Sequence, residues 1–170
     1  MARAYLSLGS NIDPARNLCL AIDALRRRFG PVALSPVYRS PAVGFAGADF
    51  LNAAAAIDSD LDASRLDAWL REQEARQGRR RDGPRYSSRT IDLDLLLYAD
   101  AIASTPPLPR PELADQAFVL RPMADLVPAL RHPVLGVELR ELWRRCEDAT
   151  PLTPVRLDCD ALAPEPAAGG

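Results

Sequence analysis

The 170 residues include 21 arginines and no lysine, carry a formal net charge of −2, and are 48% hydrophobic. That length favours one domain with one core, large enough to fold without disulfides or a structural metal. The composition excludes an overall basic field aimed at nucleic acid, a lysine Schiff base, and any apolar run long enough to span a membrane.

The first predicted element is a strand over Ala4–Leu8, ended by a Gly9-Ser10-Asn11 turn. The N-terminal residues lack a signal-peptide apolar core, so a cytoplasmic location is expected. Asp13-Pro14 is a good helix start, with Asp13 expected to cap. Leu18, Ile22, Leu25 and Phe29 recur at helical spacing until Gly30-Pro31 stops them. Val32–Arg39 reads as a strand weakened by Pro36. Residues 40–49 form a long Gly/Pro/Ala loop suited to covering a ligand.

Phe50–Ile57 is ambiguous because alanine favours helix, but its shortness and flanking loops make it a strand. Asp62 or a residue near it caps a second helix reaching Gln77, with Leu66, Trp69, Leu70 and Gln73 inward. Arg79–Ser88 is a basic loop, and Ile91–Tyr98 is the clearest strand. Helical spacing returns at Asp115–Leu126 and Val137–Cys146, and from Pro151 the pattern fades. Residues 161–170 read as a disordered tail after a single domain over 1–160. The β-α-β-β-α-β order of the first half predicts an α+β ferredoxin-like plait, an antiparallel sheet with helices packed on one face.

Cys19, Cys146 and Cys159 have neither metal-ligand nor redox spacing and are expected as reduced thiols. His132 is the only histidine and hence the only candidate for a histidine base.

The chemistry concentrates in Arg71–Asp94, which holds seven arginines (71, 76, 79, 80, 81, 85 and 89) and ends in Asp92-Leu93-Asp94. Side chains at i and i+2 of a strand share a face, so Asp92 and Asp94 point together while Leu93 and Leu95 enter a core. Neighbouring carboxylates repel unless a cation lies between them. Mg²⁺ suits such a pair, because it takes oxygen ligands and commonly joins one or two carboxylates to substrate phosphates. Without lysine, phosphate recognition falls to the planar arginine fork. These parts make a phosphoryl-transfer site, although the chain has neither a Walker A motif nor a kinase Gly-rich loop.

Arg89-Thr90-Ile91-Asp92-Leu93-Asp94 resembles the signature of the 6-hydroxymethyl-7,8-dihydropterin pyrophosphokinase family. Supporting stretches are Tyr5–Asn11, Tyr38–Pro41, Phe50-Leu51-Asn52, Glu74–Arg79 and Phe118–Pro122. The resemblance implies transfer of pyrophosphate from ATP to the pterin hydroxymethyl group, with release of AMP. It implies two Mg²⁺ ions on Asp92 and Asp94, and catalytic arginines at Arg79 and Arg89. It places Glu74, Arg81, Tyr86, Leu95 and Arg110 with the nucleotide, and Ser40, Pro41, Val43, Phe50, Asn52 and Phe118 around the pterin. Phe50 and Phe118 are suited to sandwich a flat ring, and Asn52 to meet its polar edge.

The chain departs from the family pattern at four positions. Tyr86 stands for a tryptophan, Arg110 for a histidine, Pro111 for a tyrosine and Gln116 for an arginine. A diverged relative with altered ligand or lost catalysis is one other reading. A non-enzymatic plait domain that binds RNA through its arginines is another, opposed by the negative net charge. The expected partners are ATP and a pterin, with no nucleic acid or membrane, and the expected state is a monomer.

Overall fold

A computed structural model of the chain describes residues 1–79 and 88–160. Strand β1 (Ala2–Ser10) leads into helix α1 (Pro14–Phe29), then β2 (Ala33–Leu34), β3 (Val37–Ser40) and β4 (Phe50–Ser59). Helix α2 (Ala63–Arg76) and strand β5 (Asp92–Tyr98) complete the first half. There follow a small hairpin, β6 (Ala103–Ser104) and β7 (Pro107–Leu108), and helices α3 (Glu112–Asp115), α4 (Ala117–Leu126) and α5 (Leu139–Arg145). Strand β8 (Thr153–Val155) comes last.

The main sheet is antiparallel in the order β5-β1-β4-β3-β8, with β2 also paired to β4. Its principal strands β1, β3, β4 and β5 lie in the plait order fourth–first–third–second. The expected strand at Val32–Arg39 is split into β2 and β3. Pro36, which has no amide hydrogen to donate, lies between the two pieces.

Helices cover both faces of the sheet, not one. Leu6, Leu8, Leu93 and Leu95 pack with Leu18, Ile22, Leu25, Leu66 and Leu70 of α1 and α2. Ala54, Leu96 and Leu97 pack on the other face with Leu113, Leu120, Met123 and Leu139. The C-terminal helices thus give the sheet a second covered face. Small side chains suit that position, and it is the alanine run of β4 that lies between the two layers, buried on both sides. Burial on both faces overrides the helical preference of alanine.

Asp62 caps α2 as expected, its Oδ1 accepting the Arg65 amide at 2.8 Å. Asp13 does not cap α1. It takes a left-handed φ of 42° and makes no side-chain cap bond. Trp69 is half-buried and meets Phe29 edge-on at 5.0 Å, joining α2 to α1.

After α5 the chain returns along the open edge of β3. Val37, Tyr38 and Arg39 pair with Val155, Pro154 and Thr153. An edge strand tolerates Pro154, which is why a segment without periodic pattern still joins the sheet. The return brings Cys159 to Cys19 on α1, where the two form a disulfide with Cα atoms 5.4 Å apart. The expectation of reduced thiols is therefore corrected for this pair, while Cys146 is free and half-buried.

Candidate functional site

The site begins with the alternation of β5. Leu93 and Leu95 are buried against α1 and α2, which turns Asp92 and Asp94 to the opposite face. There the two carboxylates keep about a fifth of their side-chain surface exposed, 21% and 19%. A bulge at Leu96, between the Tyr5–Leu97 and Leu6–Leu95 pairs, ends this alternation.

Each carboxylate is held by arginines. Arg79 Nη1 donates to Asp92 Oδ1 at 2.9 Å and to the Ile91 carbonyl at 3.0 Å. Arg89 Nη1 donates to Asp92 Oδ2 at 2.9 Å. Asp94 Oδ1 takes Arg71 Nη2 at 3.4 Å and Arg110 Nη2 at 3.5 Å. Beneath them lies Glu74, fully buried. Its Oε1 accepts Arg71 at 3.0 Å, and its Oε2 accepts the Leu93 amide at 2.8 Å and Arg79 at 3.5 Å.

These surroundings push the two aspartates apart. Burial raises Asp92, but Arg79 and Arg89 outweigh it and hold the carboxyl below its usual range. Burial and then the like charge of Asp92 push Asp94 up to about 6, against the weaker pull of Arg110 and Arg71.

The same face continues across the sheet. Gly9 of β1 pairs with Asp92 on one side and Asn52 on the other, and Asn52 pairs with Tyr38. Asn52 is buried and donates to Ser40 Oγ at 2.7 Å. A Cβ on Gly9 would meet Asn52 Oδ1 at 3.5 Å, so the missing side chain leaves an open floor between Asn52 and Asp92. Phe50 lies at the rim, edge-on to Phe45 at 6.4 Å.

The donor set fits divalent magnesium. The aspartate pair offers hard oxygen ligands, and among the described residues no group of three or more His, Cys, Asp or Glu side chains is placed to hold a metal. A pair of carboxylates leaves most of a Mg²⁺ shell to water and to phosphate oxygens. The buried Nε atom of Arg79 finds no acceptor among the described residues, and an incoming oxyanion would supply one.

Residues 5–128 match the sequence profile described as 7,8-dihydro-6-hydroxymethylpterin-pyrophosphokinase (HPPK). The chain belongs to this family. It is 41% identical over 150 residues to a Pseudomonas aeruginosa protein named 2-amino-4-hydroxy-6-hydroxymethyldihydropteridine pyrophosphokinase, covering 85% of this chain and 91% of that one. A Methylorubrum extorquens protein of the same name is 43% identical over 144 residues, covering 81% and 89%. An Aquifex aeolicus one is 32% identical over 145 residues, covering 83% and 90%. The fold matches that of Plasmodium falciparum HPPK-DHPS solved with pteroate, at a TM-score of 0.66 and 12% identity. That match covers 85% of this chain and 42% of the longer Plasmodium chain.

The residues expected at the metal and phosphates, Arg89, Asp92 and Asp94, are gathered with Arg79 and Arg110 at one end of β5. Ser40, Phe50 and Asn52 lie along the same sheet face, and Phe118 packs half-buried on α4. Pro41 and Val43 are exposed in the loop after β3, Val43 at 57%. Two of the residues expected at the nucleotide occupy other positions. Leu95 is in the core on the far face, because the strand period that exposes Asp94 buries it. Glu74 is wholly covered, with both oxygens turned to protein donors. Arg81 and Tyr86 lie outside the described residues.

Sequence reasoning counted Arg71 among the seven arginines and Asn11 in a supporting stretch but gave neither of them, nor Phe45, a role of its own. Asn11 ties the site together: its Nδ2 donates to the Ala48 carbonyl at 3.1 Å and to Ser88 Oγ at 3.2 Å, and its Oδ1 accepts the Arg89 amide at 2.7 Å. The signal for Arg71 was its place three residues before Glu74, one helical turn away. His132 is buried, and its Nδ1 accepts the amides of Val134 and Leu135 at 3.2 and 3.1 Å, which is a structural role.

Proposed function

We propose that Asp92 and Asp94 hold two Mg²⁺ ions against the triphosphate of ATP while the pterin lies across Gly9 toward Asn52. As an HPPK, the chain is an ATP-dependent pyrophosphokinase of folate biosynthesis. It transfers pyrophosphate to the hydroxymethyl group of 6-hydroxymethyl-7,8-dihydropterin. The observation that carries the site reading is the shared row Asp92–Gly9–Asn52 on one sheet face. Asp92 and Asn52 are two strand spacings apart, about 10 Å. A bicyclic ring with a one-carbon arm spans that gap and brings its hydroxyl to the acid pair.

Asn52 and Ser40 supply donor and acceptor atoms for the ring's polar edge, and Phe50 an aromatic wall. Arg79, Arg89 and Arg110 turn from the aspartates to the phosphates, where their forks neutralise and align the chain of oxygens. The pterin oxygen bonds to the β-phosphorus, the bond from that phosphorus to the α–β bridging oxygen breaks, AMP leaves with that oxygen, and the hydroxyl proton passes to water. When bound, Mg²⁺ offsets phosphate charge and acidifies the attacking hydroxyl. No protein base is needed, in keeping with a histidine engaged elsewhere.

The remaining assignments are a monomeric, cytoplasmic enzyme with a single domain over 1–160, and small-molecule partners without nucleic acid. The β8–β3 pairing holds the C-terminal return alongside the Cys19–Cys159 bond. The test is AMP release by the purified chain given ATP, Mg²⁺ and the hydroxymethyl dihydropterin. Release that disappears in Asp92→Asn and Asp94→Asn is expected. A folded protein that releases no AMP overturns the reading in favour of a diverged relative.

A further inference from the structure

Strand β5 is an outer strand of the sheet, so its far edge must find hydrogen-bond partners outside the ladder. Glu74 and Arg71 of α2 supply them at one residue. Glu74 Oε2 accepts the Leu93 amide at 2.8 Å, and Arg71 Nη2 donates to the Leu93 carbonyl. Leu93 is the residue between the two aspartates. The helix therefore grips β5 at the centre of the acid pair.

Arg71 does more than grip. Its Nη1 is anchored on Glu74 Oε1 at 3.0 Å, and its Nη2 extends to Asp94 Oδ1 at 3.4 Å. Arg110 approaches the same oxygen at 3.5 Å but is also drawn to Glu112 at 3.2 Å. Among the described residues, three carboxylates (Glu74, Asp92 and Asp94) thus face four guanidinium groups (Arg71, Arg79, Arg89 and Arg110). A divalent ion entering this cluster meets carboxylates that are already paired. Arg79, Arg89 and Arg110 have phosphates to turn to. Arg71 is instead fastened from below by buried Glu74 and lies against the strand.

We propose that Arg71 is a positioning residue, a built-in counter-ion that holds Asp94 in place until a metal ion displaces it. This rests on the reading of Asp92 and Asp94 as the metal-holding pair. Its consequence is that Arg71 opposes metal binding by the protein alone. The acid pair then takes up its ions when the nucleotide brings further oxygen ligands and negative charge. The fold gains an ordered, charge-compensated Asp94 in the meantime.

The test is titration of the metal-free full chain with Mn²⁺ alone, followed by electron paramagnetic resonance, alongside thermal melting. Arg71→Gln removes the charge and keeps a donor for the Leu93 carbonyl. It is expected to bind Mn²⁺ about tenfold more tightly than the parent, because one repelling charge beside Asp94 is gone. Its melting temperature should fall without metal and rise more than the parent's when Mn²⁺ is added. A purely structural role would weaken the site, never tighten it. Arg71→Lys keeps a charge but can reach Glu74 or Asp94, not both, so it should show a smaller gain and serves if the glutamine variant does not fold. Equal, weaker or undetectable Mn²⁺ binding in a cooperatively melting variant overturns the proposal. If Asp92→Asn and Asp94→Asn bind Mn²⁺ with a non-hydrolysable ATP analogue as well as the parent does, the metal-site reading itself has failed instead.

Discussion

Asn52 and Asp92 stand on opposite sides of Gly9 in a single cross-strand row, each paired with that glycine through the backbone ladder. Nothing rises from the sheet between them, because Gly9 has no side chain. Gly9→Val suits the strand backbone but places methyl groups against Asn52 Oδ1, which a Cβ already meets at 3.5 Å. The variant should keep its melting temperature and lose about 10²-fold in kcat/KM for the pterin, the size expected when a substrate is misplaced by an ångström. Calorimetry with pterin on the nucleotide-loaded enzyme checks it; unchanged pterin affinity would remove Gly9 from the binding floor.

Asp94 is expected to cost the fold stability at neutral pH. Its folded pKa of about 6 lies above the ordinary 3.8, so the contribution of its protonated form is complete below 3.8 and is lost as pH rises through 6. Asp92 is shifted down, so its contribution is present above its ordinary value and is lost as pH falls below it. The charged groups paired with Asp94 are Arg71 and Arg110, with Asp92 and Glu74 repelling it. Asp94→Asn should therefore abolish turnover yet be more stable than the parent at pH 7.5 without metal, by roughly 1–3 kcal/mol. Chemical denaturation across pH 4 to 8 reads this directly. A variant less stable than the parent at pH 7.5 would contradict the origin assigned to the shift.

His132 is a structural residue with a pH signature of its own. Burial holds its pKa below the ordinary 6.5, so the neutral ring is favoured in the fold and stability is lost as pH falls through 6.5. His132→Ala leaves the Val134 and Leu135 amides without their acceptor, at a cost of about 1–3 kcal/mol. Turnover should be unchanged. A variant that melts normally but turns over slowly would reverse this assignment.

The Cys19–Cys159 bond joins residues 140 apart in sequence. In an oxidising buffer Cys159→Ser should lower stability by about 2–4 kcal/mol, and a reductant should bring the parent to the same value. Activity should not change, since neither cysteine contacts the aspartate–arginine cluster. Identical melting with and without reductant would show that the β8–β3 pairing alone secures this segment.

The elements most legible in the sequence are those set by short-range physics. Alternation in Asp92-Leu93-Asp94-Leu95 places both acids on one face whatever else the chain does. Asp62 caps α2 through an amide three residues away, and Gly30 ends α1 at a φ of 86°. Pro36, read as a weak point, lies where the strand divides. The same logic erred at Asp13, whose left-handed backbone accompanies the loss of the side-chain cap.

What tertiary structure alone decided are pairings between distant residues. Ala53, Ala54 and Ala55 became a central strand because layers pack on both of its faces, a condition absent from the segment itself. Glu74 looked like a ligand contact until the open edge of β5 claimed it through Leu93, and Arg71 acquired its role by the same contact. Asn11 reaches Ala48, Ser88 and Arg89, and Cys159 reaches Cys19, across separations where no periodicity operates. Side-chain period and capping act over one turn or one pleat, so sequence carries them openly. Edge satisfaction and burial depend on which segments meet, and that is settled when the core closes.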